Sequence, residues 1–310
     1  MESTQEANIT KVLEFLDYAL TKSLDKSLIY TLGMKKLLKT HIAGSKDSEL
    51  IARIFDQLLV KNLKVIASEV TQAQLDSATL FKRAIVHKNL LSVFEKFVPE
   101  NQEKWAQASK TFQENIQSII QNKAQAQDPA ILTRFLINLD VFGSMVALNP
   151  KLMVEDELLD EIIKYIFTNI KVEALKENKL EPNFTLNTLF EFINLVIETK
   201  TFTPLSDNII QIEGFFLFGL EHNHTPRNYS STALIKINMF FRKVLVYMEI
   251  FSEGFKERAF DEILKTCHYK TNEISSQQTQ SDSISEEIYL SIELNEVMLT
   301  EFAETISRYV

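Results

Sequence analysis

Apolar residues recur three and four positions apart from Asp128 to Asn223, which predicts α-helices separated only by short turns. One face of the first helix carries Leu132, Phe135, Leu139, Phe142 and Val146. Asp128 and Pro129 predict its start, because an aspartate accepts a hydrogen bond from a free first-turn amide and a proline there loses no helical partner. Asn149 and Pro150 predict its end.

Three further helices are predicted before Asn223. The second follows an acidic first turn and directs inward Leu159, Ile162, Ile166 and Ile170. The third spans about Leu186 to Thr199, and the fourth runs from Ser206 to Leu220. The fourth lacks a polar face, since its apolar residues are Ile209, Ile210, Ile212, Phe215, Phe216, Phe218 and Leu220. A helix that is apolar nearly all round is expected to be buried on several sides.

Composition and proline positions divide the chain into five predicted segments. They are an N-terminal helical block (1–98), a polar connecting helix (99–127), a central helical stack (128–268), a flexible polar loop (269–284) and an acidic amphipathic C-terminal helix (285–310).

The predicted fold class is all-α, with helices stacked antiparallel. Helix midpoints in the second half recur in pairs about fifty residues apart, close to the roughly 40–47 residues of HEAT and armadillo repeats. No repeated sequence motif accompanies this spacing. We therefore expect an α-solenoid-like stack, with an irregular helical bundle as the alternative.

Composition and charge support helices and disfavour nucleic acid as a ligand. The chain has only six glycines and six prolines, whereas sheet-containing enzymes need many tight turns. Its formal net charge is −9, and phosphate binding draws on clustered Lys and Arg. The most notable basic cluster contains Lys35, Lys36 and Lys39, for which a solvated helix face is the preferred interpretation.

The location expected for the chain is intracellular. Cys267 is its only cysteine, so no internal disulfide can form, and a reducing compartment such as the cytoplasm fits best. Import into an organelle by an internal signal is the alternative. No transmembrane segment is predicted, because charged residues such as Lys236 and Arg242 interrupt the most apolar long helix, about Ser230 to Phe251.

Side-chain pairs that might carry catalysis or bind metal each have a plainer interpretation. His222 and His224 lack further ligands nearby, so a polar helix end is preferred over a metal site. Cys267 and His268 are neighbours that point in different directions on a helix, which disfavours a nucleophile and its base. Residues 215–218 are expected to be packed core rather than the lining of a ligand cavity.

Carboxylates four positions apart, Asp156 with Asp160 and Glu157 with Glu161, are expected to form a solvated acidic face. The sequence contains no phosphate loop, dinucleotide fingerprint, nucleophile elbow or zinc-protease motif. We therefore expect a non-enzymatic chain with no cofactor and no metal.

The function predicted from the sequence is a non-catalytic scaffold or adaptor subunit that presents a helical-repeat surface to protein partners in a larger complex. One alternative is a helical-repeat protein that binds or processes RNA, whose basic face is formed by Lys35, Lys36, Lys39 and Lys46 with Arg53 or Lys61. Another is a small-molecule enzyme with an unrecognised site.

A further candidate for partner binding is the predicted C-terminal helix. Its apolar seam steps by four and three around one polar residue, as Ile288, Ile292, Asn295, Leu299, Phe302, Ile306 and Tyr309. The flanks of this seam are rich in glutamate, which predicts attraction to a basic surface on this chain or on another subunit. The competing interpretation is that the helix simply caps the stack.

Overall fold

The structure is a computed structural model that describes residues 10, 11, 14, 48–55, 102–122, 126–222, 231–244, 249–259 and 261–262. Of this described part 86% is helical and none of it is strand, which confirms the all-α prediction at that level. The chain divides into two compact units, Met1–Ile162 and Ile163–Val310, and each is described by itself.

The α-helices within the described residues are α1 (Ser48–Phe55), α2 (Gln102–Gln121), α3 (Pro129–Leu148), α4 (Asp156–Asn169), α5 (Val172–Lys176), α6 (Pro182–Thr199), α7 (Ile209–His222) and α8 (Ser231–Val244). Short 3₁₀ turns occupy Pro150–Leu152 and Thr203–Asn208, and residues 253–259 are also helical. The predicted loop 269–284 and C-terminal helix 285–310 lie outside the described residues, as does most of the predicted N-terminal block.

In the first unit, α3 packs against α2 and against the 3₁₀ turn that follows it. Its start is as predicted: Pro129 takes the first helical position, and the Asp128 carboxylate accepts a hydrogen bond from the Ala130 amide at 2.8 Å. Asn149 ends the helix, also as predicted. Residues 135–146 are all buried, so α3 is covered on every side and not only along the predicted apolar face.

Buried polar groups on α3 have hydrogen-bond partners. The Asn138 Nδ2 group donates to the Arg134 carbonyl oxygen at 2.8 Å, and the Asn138 Oδ1 atom accepts from Asn115 on α2 at 3.3 Å. The Ser144 hydroxyl donates to the Asp140 carbonyl oxygen at 2.9 Å. These bonds remove most of the cost of burying amides and hydroxyls in an otherwise apolar helix.

Within the described residues, α3 is also the one helix long and apolar enough to cross a membrane. Its most apolar part is 78% buried inside the structure. A buried core helix passes the same test of length and composition, so this finding does not assign a membrane span.

In the second unit, α6 and α8 pack side by side and run in the same direction. Two ion pairs join them: Glu191 with Lys236 at 3.9 Å and Glu198 with Lys243 at 2.5 Å. Both pairs link positions 45 residues apart, so a step along α6 matches an equal step along α8, which only parallel helices allow. Asn194 adds a hydrogen bond from its Nδ2 group to the Lys236 carbonyl oxygen at 2.9 Å. We call these five residues the polar seam.

The parallel α6–α8 pair is compatible with the predicted antiparallel stack, because consecutive antiparallel helices leave every second helix parallel. The sequence pattern does not reveal that α6 and α8 make an extensive contact. Buried polar side chains also line α6, namely Thr185, Thr188, Glu191 and Asn194.

Phe216 of α7 is fully buried in an aromatic cluster, as predicted. The centroid of its ring lies 5.4 Å from that of Phe255, 5.6 Å from Phe241, 5.9 Å from Phe240 and 6.4 Å from Phe190. Tilted and edge-on ring pairs of this kind contribute beyond the area they bury. This cluster joins α7 to α6, α8 and the helical residues 253–259.

Gly219 permits a close approach between α7 and its neighbours. A β-carbon at this position would lie 2.5 Å from Cδ1 of Ile237 and 3.5 Å from the two δ-carbons of Leu186. At Gly214, earlier in the same helix, a β-carbon would meet Val172 of α5 at an ordinary 3.6 Å. The packing of α7 is therefore tighter at Gly219 than at Gly214.

Local capping explains why α6 begins earlier than predicted. The helix starts at Pro182 and not near Leu186, because the Glu181 carboxylate accepts hydrogen bonds from the amides of Asn183 and Phe184. Proline at the first helical position and a carboxylate before it are both favourable.

Two other boundaries also differ from the prediction. The 3₁₀ turn Thr203–Asn208 precedes α7, which begins at Ile209 and not at Ser206. The short helix α5 was not predicted at all, because five residues are too few to show a clear helical period.

Candidate protein-docking cleft

The residues that the sequence nominates for partner binding lie outside the described residues. They are Lys35, Lys36, Lys39, Ile288, Ile292, Asn295, Leu299, Phe302, Ile306 and Tyr309. His224, Cys267 and His268 lie outside them too. The RNA-binding alternative and the role of the C-terminal helix therefore stay predictions.

His222 lies at the end of α7, as predicted, and its ring stacks on that of Phe218 with centroids 5.3 Å apart. Burial lowers the pKa of His222 from its ordinary value of 6.5, while the nearby carboxylate of Glu181 acts in the opposite direction. Among the described residues, no group of three or more His, Cys, Asp or Glu is arranged to hold a metal ion.

The paired carboxylates of α4 do not form a buried acid–base site. Asp156, Glu157, Asp160 and Glu161 are all exposed, as expected for a solvated acidic face. The aromatic stretch of α7 is core, as predicted, with Phe215 and Phe216 almost completely buried.

A cleft of about 350 Å³ lies between α5 and α7 in the second unit. Its apolar lining includes Ile170, Val172, Phe215 and Phe218. Gly214 also lines the cleft, and a β-carbon there would lie 3.6 Å from Cγ2 of Val172. A volume near the lower end of roughly 300–1,000 Å³ is typical of sites that accept a small ligand or a few side chains. We call this the α5–α7 cleft.

Ile210 lines this cleft, and its side chain is 81% exposed. Residues 215–220 are buried, as expected for a helix covered on several sides, but the exposure of Ile210 shows that the first turn of α7 has an open face. The sequence does carry a signal for the exposure, since Ile210, Glu213 and Glu221 share one helical face. Two glutamates on that face indicate that it is an outer face. A count of apolar residues alone does not reveal this.

The polar groups of the α5–α7 cleft carry a small excess of positive charge. Lys171, Lys176 and Arg258 line it, with Glu173 and Glu221 as the carboxylates. Arg258 is paired with Glu221 at 3.0 Å. In a chain whose formal net charge is −9, a cleft with more cations than anions differs from the average surface.

The wall of the cleft is tied to the rest of the second unit through α7. The Glu213 carboxylate accepts hydrogen bonds from the amide of Ser252 at 2.9 Å and from its hydroxyl at 3.1 Å. The Ser252 hydroxyl in turn caps the helical residues 253–259 by accepting from the Phe255 amide at 3.2 Å. Arg258 is held on that capped helix, and α7 is fixed by the aromatic cluster.

A second cleft, of about 570 Å³, lies in the first unit between α2 and residues 151–161. Its lining mixes cations and anions, among them Lys110, Lys151, Glu155 and Glu161. Its buried floor includes Leu152, and no strongly exposed large apolar side chain lines it. This arrangement is typical of a solvated surface groove, so the α5–α7 cleft is the stronger candidate for binding a partner.

Comparison with protein-family models, curated protein sequences and solved structures yields no significant match to this chain.

Proposed function

We propose that this chain is a non-catalytic scaffold or adaptor subunit, and that the α5–α7 cleft is a surface through which it binds a protein partner. The observation that supports this most directly is the exposure of Ile210 beside an apolar cleft. A large exposed aliphatic side chain next to a hollow with an apolar lining is typical of a protein interaction site.

The packing of α6 against α8 supports an α-solenoid-like arrangement as part of this proposal. In solenoids each repeat contacts its neighbours, and equivalent helices of successive repeats pack in parallel. The offset of 45 residues between α6 and α8 lies within the range of roughly 40–47 residues of HEAT and armadillo repeats. An extended stack of this kind would leave helix faces such as the outer face of α7 open to partners.

A substitution at Ile210 tests the proposal in the full-length chain. Ile210→Glu places a charge at the mouth of the cleft, and Gln117→Glu adds the same charge at an exposed position in the second cleft. Tagged versions of both variants and of the wild type are cross-linked in cells and purified, and the captured proteins are quantified.

We expect Ile210→Glu to reduce capture of specific partners by about tenfold or more, equivalent to roughly 1.4 kcal/mol of binding free energy. Gln117→Glu should capture as the wild type does. Unchanged melting temperatures in both variants show that the fold is intact. If Ile210→Glu retains all partners, or if Gln117→Glu loses them instead, the α5–α7 cleft is not the docking surface.

A further inference from the structure

The rim of the α5–α7 cleft holds two lysines that lack a carboxylate partner among the described residues. Lys171 donates to the carbonyl oxygen of Phe167, and Lys176 is exposed. Arg258 is already engaged by Glu221. Glu173 lies between the two lysines in sequence, so the rim keeps an excess of one positive charge available to a ligand.

An apolar floor beneath a basic rim favours one class of ligand, an amphipathic helix with acidic flanks. Such a helix inserts side chains spaced three or four positions apart into an apolar groove. Its carboxylates then lie near the lysines of the rim. The attraction between these charges strengthens binding and fixes the orientation of the helix. The volume of about 350 Å³ limits the insertion to a few side chains, so a short stretch of the helix supplies the anchors.

Residues 285–309 of the same chain have this chemistry by sequence. The apolar residues Leu299 and Phe302 are spaced by three positions. The surrounding glutamates are Glu293, Glu296, Glu301 and Glu304, and the one basic residue in this stretch is Arg308. The segment lies outside the described residues, so the inference rests on its sequence and on the geometry of the cleft.

We propose that the α5–α7 cleft binds residues 285–309 of its own chain, with Leu299 and Phe302 as the apolar anchors. The proposal rests on the assignment of this cleft as a docking surface and names its ligand class, an acidic amphipathic helix. An external partner of the same chemistry would then have to displace the segment before it binds.

The covalent link favours a contact within one chain over a contact between two copies. Residues 263–284 connect the described part to the segment, and that length spans up to about 70 Å when extended. A tether of this kind gives an effective local concentration on the order of 1 mM, well above the concentration of a second copy in dilute solution.

Site-specific photo-cross-linking in the full-length chain tests this contact. The photoreactive residue benzoylphenylalanine replaces Ile210, which tolerates substitution because its side chain is exposed. A control chain carries it at Thr203, which is also exposed but does not line the cleft. After irradiation at micromolar protein, the products are separated by mass and the linked peptides are identified by mass spectrometry.

The expected product is a monomer in which position 210 is linked to a peptide within 285–309, while position 203 gives no such link. Leu299→Asp with Phe302→Asp should lower the yield about tenfold or more, since two apolar anchors are lost. Lys171→Glu with Lys176→Glu should also lower it, and added salt should weaken it in the unsubstituted chain.

A link from position 210 to any other segment, a link between two chains, or no link to 285–309 would overturn the proposal. None of these outcomes bears on partner capture by the wild type and the Ile210→Glu variant. The failure of this inference is therefore distinguishable from the failure of the proposed function.

Discussion

Two helix contacts in the second unit differ in which kind of side chain they bury. Where α6 meets α8, polar side chains are bonded across the contact in the polar seam, whose Glu191 and Asn194 are buried while Glu198 is half exposed. Where α5 meets α7, an apolar side chain, Ile210, is left 81% exposed beside a cleft. The α6–α8 contact therefore buries polar side chains, whereas the α5–α7 cleft leaves an aliphatic side chain exposed.

This contrast teaches that residue type alone does not indicate which face of a helix is covered. Ion pairs between two neighbouring helices favour one register, because a shift along the axis would separate the paired charges. An apolar contact has no such register and can accept different occupants. The polar seam therefore favours one register of α6 on α8, and the proposed docking at the α5–α7 cleft has no equivalent set of ion pairs to fix its register.

The strongest test of this contrast places the same charge on the buried face and on the exposed face of α7. Phe216→Asp should lower the free energy of unfolding by about 3 kcal/mol or more, because it buries an unpaired carboxylate in the aromatic cluster. Ile210→Asp should change it by less than about 0.5 kcal/mol, as is usual for exposed positions. Urea unfolding followed by circular dichroism measures both. Equal losses would mean that the outer face of α7 is covered.

A smaller loss is expected when the polar seam loses one charge. Lys236→Met keeps the hydrocarbon chain but removes the cation beside Glu191, whose side chain is only 10% exposed, and should cost about 1–2 kcal/mol. Lys179→Met is the matched control, because the Lys179–Glu177 pair is well exposed and should contribute less than about 0.5 kcal/mol. Chemical denaturation of the two variants measures both losses. Equal shifts of the two midpoints would contradict the expected difference.

The two glycines of α7 provide a comparison of similar or smaller size. Gly219→Ala forces Ile237 to move, whereas Gly214→Ala meets only ordinary contact and gains helix stability of roughly 0.5–1 kcal/mol. We expect the alanine at 214 to be more stabilising than the alanine at 219 by about 1 kcal/mol, measured by thermal unfolding. The reverse order would show that the packing is looser at Gly219 than at Gly214.

The smallest expected change in stability comes from the protonation of His222. Its pKa is lowered in the folded state, chiefly by burial, so the unfolded chain binds the proton more readily between the folded pKa and the ordinary value of 6.5. Stability should therefore fall as the pH decreases through about 6.5 and level off below the folded pKa. His222→Gln should flatten this part of a plot of melting temperature against pH. A variant with the same slope as the wild type would assign the pH dependence to other groups.

Much of the fold could be predicted from sequence, because caps and apolar periods are local signals. Asp128 with Pro129 gave the start of α3 correctly, and Phe216 was correctly expected in the core. The cleft was not predicted, since it depends on α5, a helix too short to show a period, and on the exposure of Ile210. The parallel contact of α6 with α8 was missed as well, because its ion pairs join residues 45 positions apart.

The separation of 45 residues between Glu191 and Lys236 also has a consequence for synthesis on the ribosome. At roughly 5–20 residues per second, α6 emerges about 2–9 s before its partner in α8. During that interval the face of α6 that will be buried is open to other nascent chains and to chaperones. Glu191 and Asn194 keep part of that face hydrated while it waits, which lowers its tendency to aggregate before α8 arrives.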